Sequence, residues 1–164
     1  MTWNPFPDAS DERTLVMTRT FRAPRLLVWR CFEDPELLRQ WWGPENFTIP
    51  ELSLDFRPGG RWHVTIRHPD GTDFPVNYTF EDIVPPERLV YRNALSTGSE
   101  WAGKAPARYI ATLTFEATGD SETLLTLRFA FGSAAEKEDS VTRGFGRGIA
   151  EALGKLERFV DHQT

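Results

Sequence analysis

The spacing of apolar residues predicts a short helical region between strands near the start of the chain. Residues 13–21 alternate between two sets of side chains and include β-branched residues, so they predict a first strand. Residues 24–32 and 35–41 place apolar side chains three and four positions apart, which predicts two short helices. Asp34 can cap the second helix, and Gly43-Pro44 ends it. A helical hairpin therefore follows the first strand.

The next ninety or so residues predict only strands and tight turns. Runs of β-branched and aromatic residues are separated by clusters of Gly, Pro, Asp and Ser that are typical of turns. The predicted strands are residues 51–56, 61–68, 74–84, 88–95, 108–118 and 123–131. Because their connections are too short for parallel crossovers, they predict an antiparallel meander.

Side-chain parity gives this sheet one apolar face, and the end of the chain predicts its cover. Trp62, Val64 and Ile66 share one side of their strand, and polar residues occupy the other. Residues 134–162 predict one long amphipathic helix, whose apolar residues recur at helical spacing: Val141, Phe145, Ile149, Leu153, Leu156 and Val160. The pattern predicts one α+β domain over residues 13–164, preceded by a flexible arm over residues 1–12.

Charge and cysteine content narrow the function classes. The net charge is -5, whereas a nucleic-acid-binding domain normally carries a basic excess. The single cysteine cannot form an internal disulfide, and no apolar run is long enough to span a membrane. We therefore expect a cytoplasmic protein that binds neither nucleic acid nor membrane, as a monomer or weak homodimer.

Aromatic residues are unusually frequent, with 6 Trp, 3 Tyr and 12 Phe. Parity and helical spacing place many of them where the sheet would face the long helix, and large rings there either pack together or leave a void. An apolar wall with a few polar tips is the composition of a small-molecule pocket. The candidate cavity residues are Trp41, Trp42, Trp62, Val64, Ile66, Tyr78, Phe80, Tyr91, Asn93, Tyr109, Leu127, Phe129, Phe145, Ile149 and Leu153. A filled core with hydrogen-bonded phenols is an equal alternative.

Other candidate sites carry weaker signals. Trp41 and Trp42 could gate a ligand, although a structural cap on the core fits them better. The Gly-x-Gly-x-Gly spacing at 144–148 is not that of a dinucleotide-binding fingerprint, and it favours local helix irregularity over phosphate binding. The histidines lack metal-ligand spacing, and Cys31 lies among apolar neighbours without a nucleophile motif. We expect no metal, no cofactor and no catalytic residue.

Three local motifs resemble those of a known family. They are Trp-Trp-Gly-Pro at 41–44, Arg-Pro-Gly-Gly-Arg-Trp at 57–62 and Val-Pro-Pro-Glu-Arg-Leu-Val-Tyr at 84–91. Together they resemble the homologues of the activator of the heat-shock-protein-90 ATPase, within the START/polyketide cyclase-like (SRPBCC) superfamily. The resemblance implies a helix-grip (START-like) fold, in which a curved antiparallel sheet wraps around a long C-terminal helix and encloses a deep cavity.

Three functions remain open at this point. The ring-rich face and the cavity implied by the resemblance favour a protein that binds a small apolar or amphipathic molecule without catalysis. The family name implies a co-chaperone or stress-response protein with a chaperone as partner. The superfamily also contains cyclases, so a cyclase-like enzyme is the third possibility.

Overall fold

The computed structural model describes residues 12–93 and 108–163. The elements in these residues are β1 (Thr14–Phe21), α1 (Arg25–Glu33), α2 (Pro35–Leu38), β2 (Thr48–Leu54), β3 (Arg61–Arg67), β4 (Asp73–Val84), β5 (Arg88–Asn93), β6 (Tyr109–Gly119), β7 (Glu122–Phe131), α3 (Ala134–Thr142) and α4 (Phe145–Asp161). Most of the predicted arm and the end of the predicted strand at 88–95 lie outside the described residues.

The strands form one antiparallel sheet in the order β1-β7-β6-β5-β4-β3-β2. The meander from β2 to β7 confirms the predicted topology. β1 pairs with β7 over its whole length, from Thr14 opposite Ala130 to Phe21 opposite Thr123. The first and last strands of the chain are therefore neighbours, and the α+β helix-grip fold is confirmed.

The strand register brings the aromatic side chains together on one face. Trp62 lies opposite Tyr78, and Phe80 lies opposite Tyr91. These four rings are at most 6% exposed and belong to one continuous core with the helices. Burying rings of this size is a major source of stability in a domain of this length.

The helical hairpin is fixed by caps and by one buried hydrogen bond. Asp34 begins α2, and its side chain accepts a hydrogen bond from the backbone N–H of Glu36 at 3.0 Å. Regular helix ends at Leu38, earlier than predicted, and turns carry the chain on to Trp41. The Trp41 indole N–H donates to the carbonyl oxygen of Cys31 at 3.0 Å, which joins the segment after α2 to the last turn of α1.

The prediction of one uninterrupted helix over 134–162 is wrong. Gly144 has a φ of 98°, in the left-handed region that a helix interior cannot contain, so the segment divides into α3 and α4. Val141, which the spacing predicts on the buried face, is 44% exposed on α3. The apolar face continues along α4, where Leu153, Leu156 and Val160 are buried.

The turn before β3 requires glycine at both glycine positions of the motif at 57–62. Gly59 has a φ of 81°, and a Cβ on Gly60 would lie 2.0 Å from the carbonyl oxygen of Asp55. The chain therefore folds back closely enough for Gly60 N–H to bond to Arg57 and for its carbonyl to accept from Phe80. This turn sets the start of β3 and so the position of Trp62.

Candidate ligand-binding cavity

A cavity of about 430 Å³ lies between the apolar face of the sheet, the end of the helical hairpin and the two C-terminal helices. Its walls are mostly aromatic and aliphatic. It is bordered by these residues from the predicted set: Trp41, Trp42, Ile66, Tyr78, Tyr91, Asn93, Tyr109, Leu127, Phe145, Ile149 and Leu153. Pockets for small molecules have volumes of about 300–1,000 Å³ and similar linings.

Four predicted residues do not border the cavity: Trp62, Val64, Phe80 and Phe129. They lie on the predicted face and are at most 1% exposed, but they do not form part of the cavity surface. The Trp62 ring is covered by Trp42 at 4.6 Å, Tyr78 at 4.4 Å and Tyr91 at 5.2 Å between centroids. Strand alternation predicts which face of the sheet a side chain occupies. Whether that side chain reaches the cavity surface depends on the residues packed around it.

The structure adds lining residues outside the predicted set: Phe32, Gly43, Pro44, Phe47, His68, Phe74, Val76, Leu113, Ser140, Arg143, Gly144, Gly148 and Ala152. Phe74 and Val76 have the same strand parity as Tyr78, so a signal for them was present. Ser140 lies on α3, and Arg143 lies between the end of α3 and Gly144. The break in the helix directs this end of α3 toward the cavity, which no periodicity could have indicated.

The polar groups of the inner wall are three phenols and one amide. Tyr78 and Tyr109 are hydrogen-bonded through their hydroxyls. The Asn93 side-chain oxygen accepts a hydrogen bond from the backbone N–H of Tyr109 at 2.8 Å, which fixes β5 against β6 at this wall. Tyr91 stands edge to face against Tyr78 with centroids 5.0 Å apart.

Burial controls the ionisation of these phenols. Desolvation raises the pKa of Tyr109 to about 12, and the hydrogen bond with Tyr78 moderates that rise. Desolvation, reinforced by the nearby Tyr109, also raises the pKa values of Tyr78 and Tyr91 well above their ordinary value. All three are neutral near pH 7, so they can donate hydrogen bonds but cannot serve as general bases.

The ionisable groups among the described lining residues, apart from the phenols, are basic and lie at the rim. His68 and Arg143 are both exposed. His68 packs edge to face on Phe47 at 5.2 Å and accepts a hydrogen bond from the backbone N–H of Asp70 at its Nδ1. Arg143 pairs with Asp139 at 3.4 Å. The cavity therefore changes from a charged rim to an uncharged interior.

The two adjacent tryptophans have different surroundings. Trp41 is 1% exposed, and its indole N–H is used by Cys31, so it holds the hairpin together. Trp42 is half-buried, and its ring contacts Trp62 and Tyr78 across the cavity wall. Of the pair, only Trp42 has the exposure expected of a residue at a cavity entrance.

The loop that carries Trp42 is fastened to α4. The Lys155 ammonium donates to the carbonyl oxygens of Trp42 at 3.1 Å and Pro44 at 3.3 Å. The backbone N–H of Glu45 donates to a carboxylate oxygen of Glu151 at 3.1 Å, and Glu45 also pairs with Arg158. Burial lowers the pKa of Lys155. The loop after the hairpin and α4, which both border the cavity, are thus joined by polar contacts.

Three other properties of the described residues bear on function: metal binding, cysteine reactivity and membrane-spanning helices. Within 12–93 and 108–163, no group of three or more His, Cys, Asp or Glu side chains is placed to hold a metal ion. Burial raises the pKa of Cys31 to about 12, so its thiol is protonated and unreactive near pH 7. None of the helices in this part of the chain has both the length and the hydropathy needed to cross a bilayer.

Comparison with known families tests the family membership that the three motifs suggest. The family model for "Activator of Hsp90 ATPase homolog 1-like protein" matches residues 22–161. The chain belongs to this family. The match covers the helical hairpin, every strand from β2 onward and both C-terminal helices, so it contains the whole lining of the cavity.

Solved structures share the fold of this Hsp90 ATPase activator homologue family. A crystal structure of a Nitrosomonas europaea protein aligns at a TM-score of 0.82 and 24% identity, over 96% of this chain and 98% of that one. An Arthrobacter aurescens protein gives a TM-score of 0.80 and 22% identity, over 92% and 87%. A Silicibacter pomeroyi protein of the same family gives 0.71 and 20%, over 92% and 99%. No curated protein matches the chain.

Proposed function

We propose that this protein binds a small apolar or amphipathic molecule in the cavity and does not transform it. One observation carries the proposal: the aromatic side chains line a half-open cavity of about 430 Å³ and do not fill it. Apolar walls that face such an opening lack the dispersion contacts that they would make with a closely fitting partner. An occupant of matching shape would restore those contacts.

The chemistry of the lining favours binding over catalysis. On the inner wall, neutral phenols, an amide and aromatic faces can orient a molecule but offer no base or nucleophile that is active near pH 7, and the imidazole of His68 lies at the exposed rim. The rim contains the exposed His68 and Arg143, which suits a molecule with an apolar body and a polar outer end. The lining therefore fits an amphipathic ligand as well as a purely apolar one.

Calorimetric titration with a neutral bicyclic hydrocarbon, β-isopropylnaphthalene, tests the proposal. Ala152 borders the cavity, so Ala152→Leu should fill part of it and lower the affinity at least about tenfold. Ala150 is exposed on the same helix, so Ala150→Leu makes the same chemical change outside the cavity and should leave the affinity unchanged. Gly148→Leu is a second filling variant, because its Cβ would meet nothing closer than Pro44 at 3.9 Å.

Saturable binding by the natural chain that both filling variants weaken would support the proposal. Absence of binding, or equal affinity in the filling variants and the Ala150→Leu control, would overturn it. Circular dichroism of each variant establishes that it is folded before the titration is interpreted.

A further inference from the structure

Every tyrosine of this chain borders the cavity. The chain has 3 Tyr and 12 Phe, and Tyr78, Tyr91 and Tyr109 are all lining residues. They are 6%, 1% and 5% exposed. Elsewhere the described core uses phenylalanine for the same packing role, as at Phe80 and Phe115. Three phenolic hydroxyls are therefore concentrated in one apolar place, where a ring alone would have served for packing.

Two hydroxyl groups that share one hydrogen bond can together donate another to a third group. One hydrogen bond joins Tyr78 and Tyr109, and a hydroxyl pair linked by a single bond still has one O–H to donate. A hydrogen bond with Tyr109 contributes to the altered ionisation of Tyr78 but not to that of Tyr91. Since the amide of Asn93 holds the backbone of Tyr109, the wall that presents these groups is itself fixed.

The distribution of charge restricts what this wall can accept. Among the described lining residues the basic groups are His68 and Arg143 at the rim, and the inner wall has neither a cation nor a carboxylate. Desolvation opposes the phenolate form of all three tyrosines. The same desolvation would oppose a carboxylate brought in by a ligand, because burying a charge without a counterion is costly.

We propose that Tyr78, Tyr91 and Tyr109 form the polar end of the cavity and recognise a neutral hydrogen-bond acceptor, such as a ketone oxygen, on an otherwise apolar ligand. The inference rests on the proposed function and adds the chemical class of the ligand. A neutral acceptor takes hydrogen bonds from neutral phenols without the cost of burying a charge. The cavity should discriminate against a carboxylate of the same shape.

Three naphthalenes of nearly equal shape provide the test: β-acetylnaphthalene with a ketone, β-isopropylnaphthalene with no acceptor, and β-naphthoate with a carboxylate. Each is titrated into the natural chain, Tyr91→Phe and Tyr78→Phe. Both substitutions keep the ring, so they remove a hydroxyl with little change in shape. Tyr91→Phe also leaves the bond between Tyr78 and Tyr109 intact, which makes it the milder variant.

The proposal expects a loss of about 2- to 10-fold in ketone affinity on removal of a participating hydroxyl, the range for one neutral hydrogen bond. Hydrocarbon affinity should change less than about twofold, and naphthoate should bind at least about tenfold more weakly than the ketone. If ketone and hydrocarbon respond equally to both substitutions, or naphthoate binds as tightly as the ketone, phenol recognition is wrong while the binding function stands. If no probe binds the natural chain, both proposals fall.

Discussion

Alkaline pH should unfold this protein in a transition driven by its three buried phenols. An unfolded tyrosine loses its proton near its ordinary pKa of 10.0, whereas burial raises the pKa of Tyr109 to about 12 in the folded protein. Above pH 10 the folded state therefore holds more protons than the unfolded state. Below pH 10 the tyrosines do not change the free energy of unfolding, and as the pH rises from 10 toward 12 they lower it.

The magnitude follows from the shift of Tyr109 alone. Each pH unit between the two pKa values reduces the unfolding free energy by about 1.4 kcal/mol, so Tyr109 accounts for about 3 kcal/mol between pH 10 and 12. The raised pKa values of Tyr78 and Tyr91 act in the same direction. A domain with an ordinary stability of about 5–15 kcal/mol would lose much of it over this interval.

Near-ultraviolet absorbance reports the formation of tyrosinate, and far-ultraviolet circular dichroism recorded at the same pH values reports unfolding. The chain has 3 Tyr, and all three are buried, so no exposed tyrosine contributes a background. Tyrosinate should appear together with the loss of helical and strand signal, and Tyr109→Phe should flatten the fall in stability. Tyrosinate formation centred near pH 10 with an intact dichroism spectrum would refute the reasoning.

The remaining predictions concern α4 and the hairpin. Gly148→Ala should raise the free energy of unfolding by about 0.5–1 kcal/mol, because alanine favours a helix interior and the new Cβ makes an ordinary contact with Pro44. Gly144→Ala should lower it by about 1–2 kcal/mol, because the φ of 98° at this position is strained for alanine. The thermal midpoints of the two variants should therefore move in opposite directions. Lys155→Met should cost about 1–3 kcal/mol by leaving the Trp42 and Pro44 carbonyls without their charged donor, and equal denaturant midpoints for variant and natural chain would contradict this. Cys31 should react with a water-soluble disulfide reagent only after unfolding, because its thiol is buried and has a pKa of about 12; reaction at the rate of a free thiol in the folded protein would show otherwise.

The sequence predicted the sheet and most of the cavity face because both depend on local periodicity. Alternation along β3 and β4 placed Trp62, Tyr78 and Phe80 on one face, and their burial confirms that assignment. The short turns predicted antiparallel neighbours, and the order of strands confirms them. Such signals need only the side-chain period of a strand.

The parts that failed depend on one backbone angle or on distant contacts. Helical spacing continues through 134–162, and only the left-handed conformation of Gly144 reveals that the helix divides there. The attachment of Lys155 to the Trp42 carbonyl joins residues 113 positions apart, which periodicity does not record. Whether the rings meet or surround a void also depends on three-dimensional packing, so the sequence left both outcomes open.

Nuclear magnetic resonance of ring-labelled tyrosine during addition of β-isopropylnaphthalene tests the central claim most directly. The labelled chain contains three tyrosines, and each borders the cavity, so the spectrum reports on this site alone. The account predicts saturable shifts of the Tyr78, Tyr91 and Tyr109 signals, weakened by Ala152→Leu and retained in Ala150→Leu. Unchanged tyrosine signals up to the solubility limit of the hydrocarbon would contradict the claim that this cavity binds small apolar molecules.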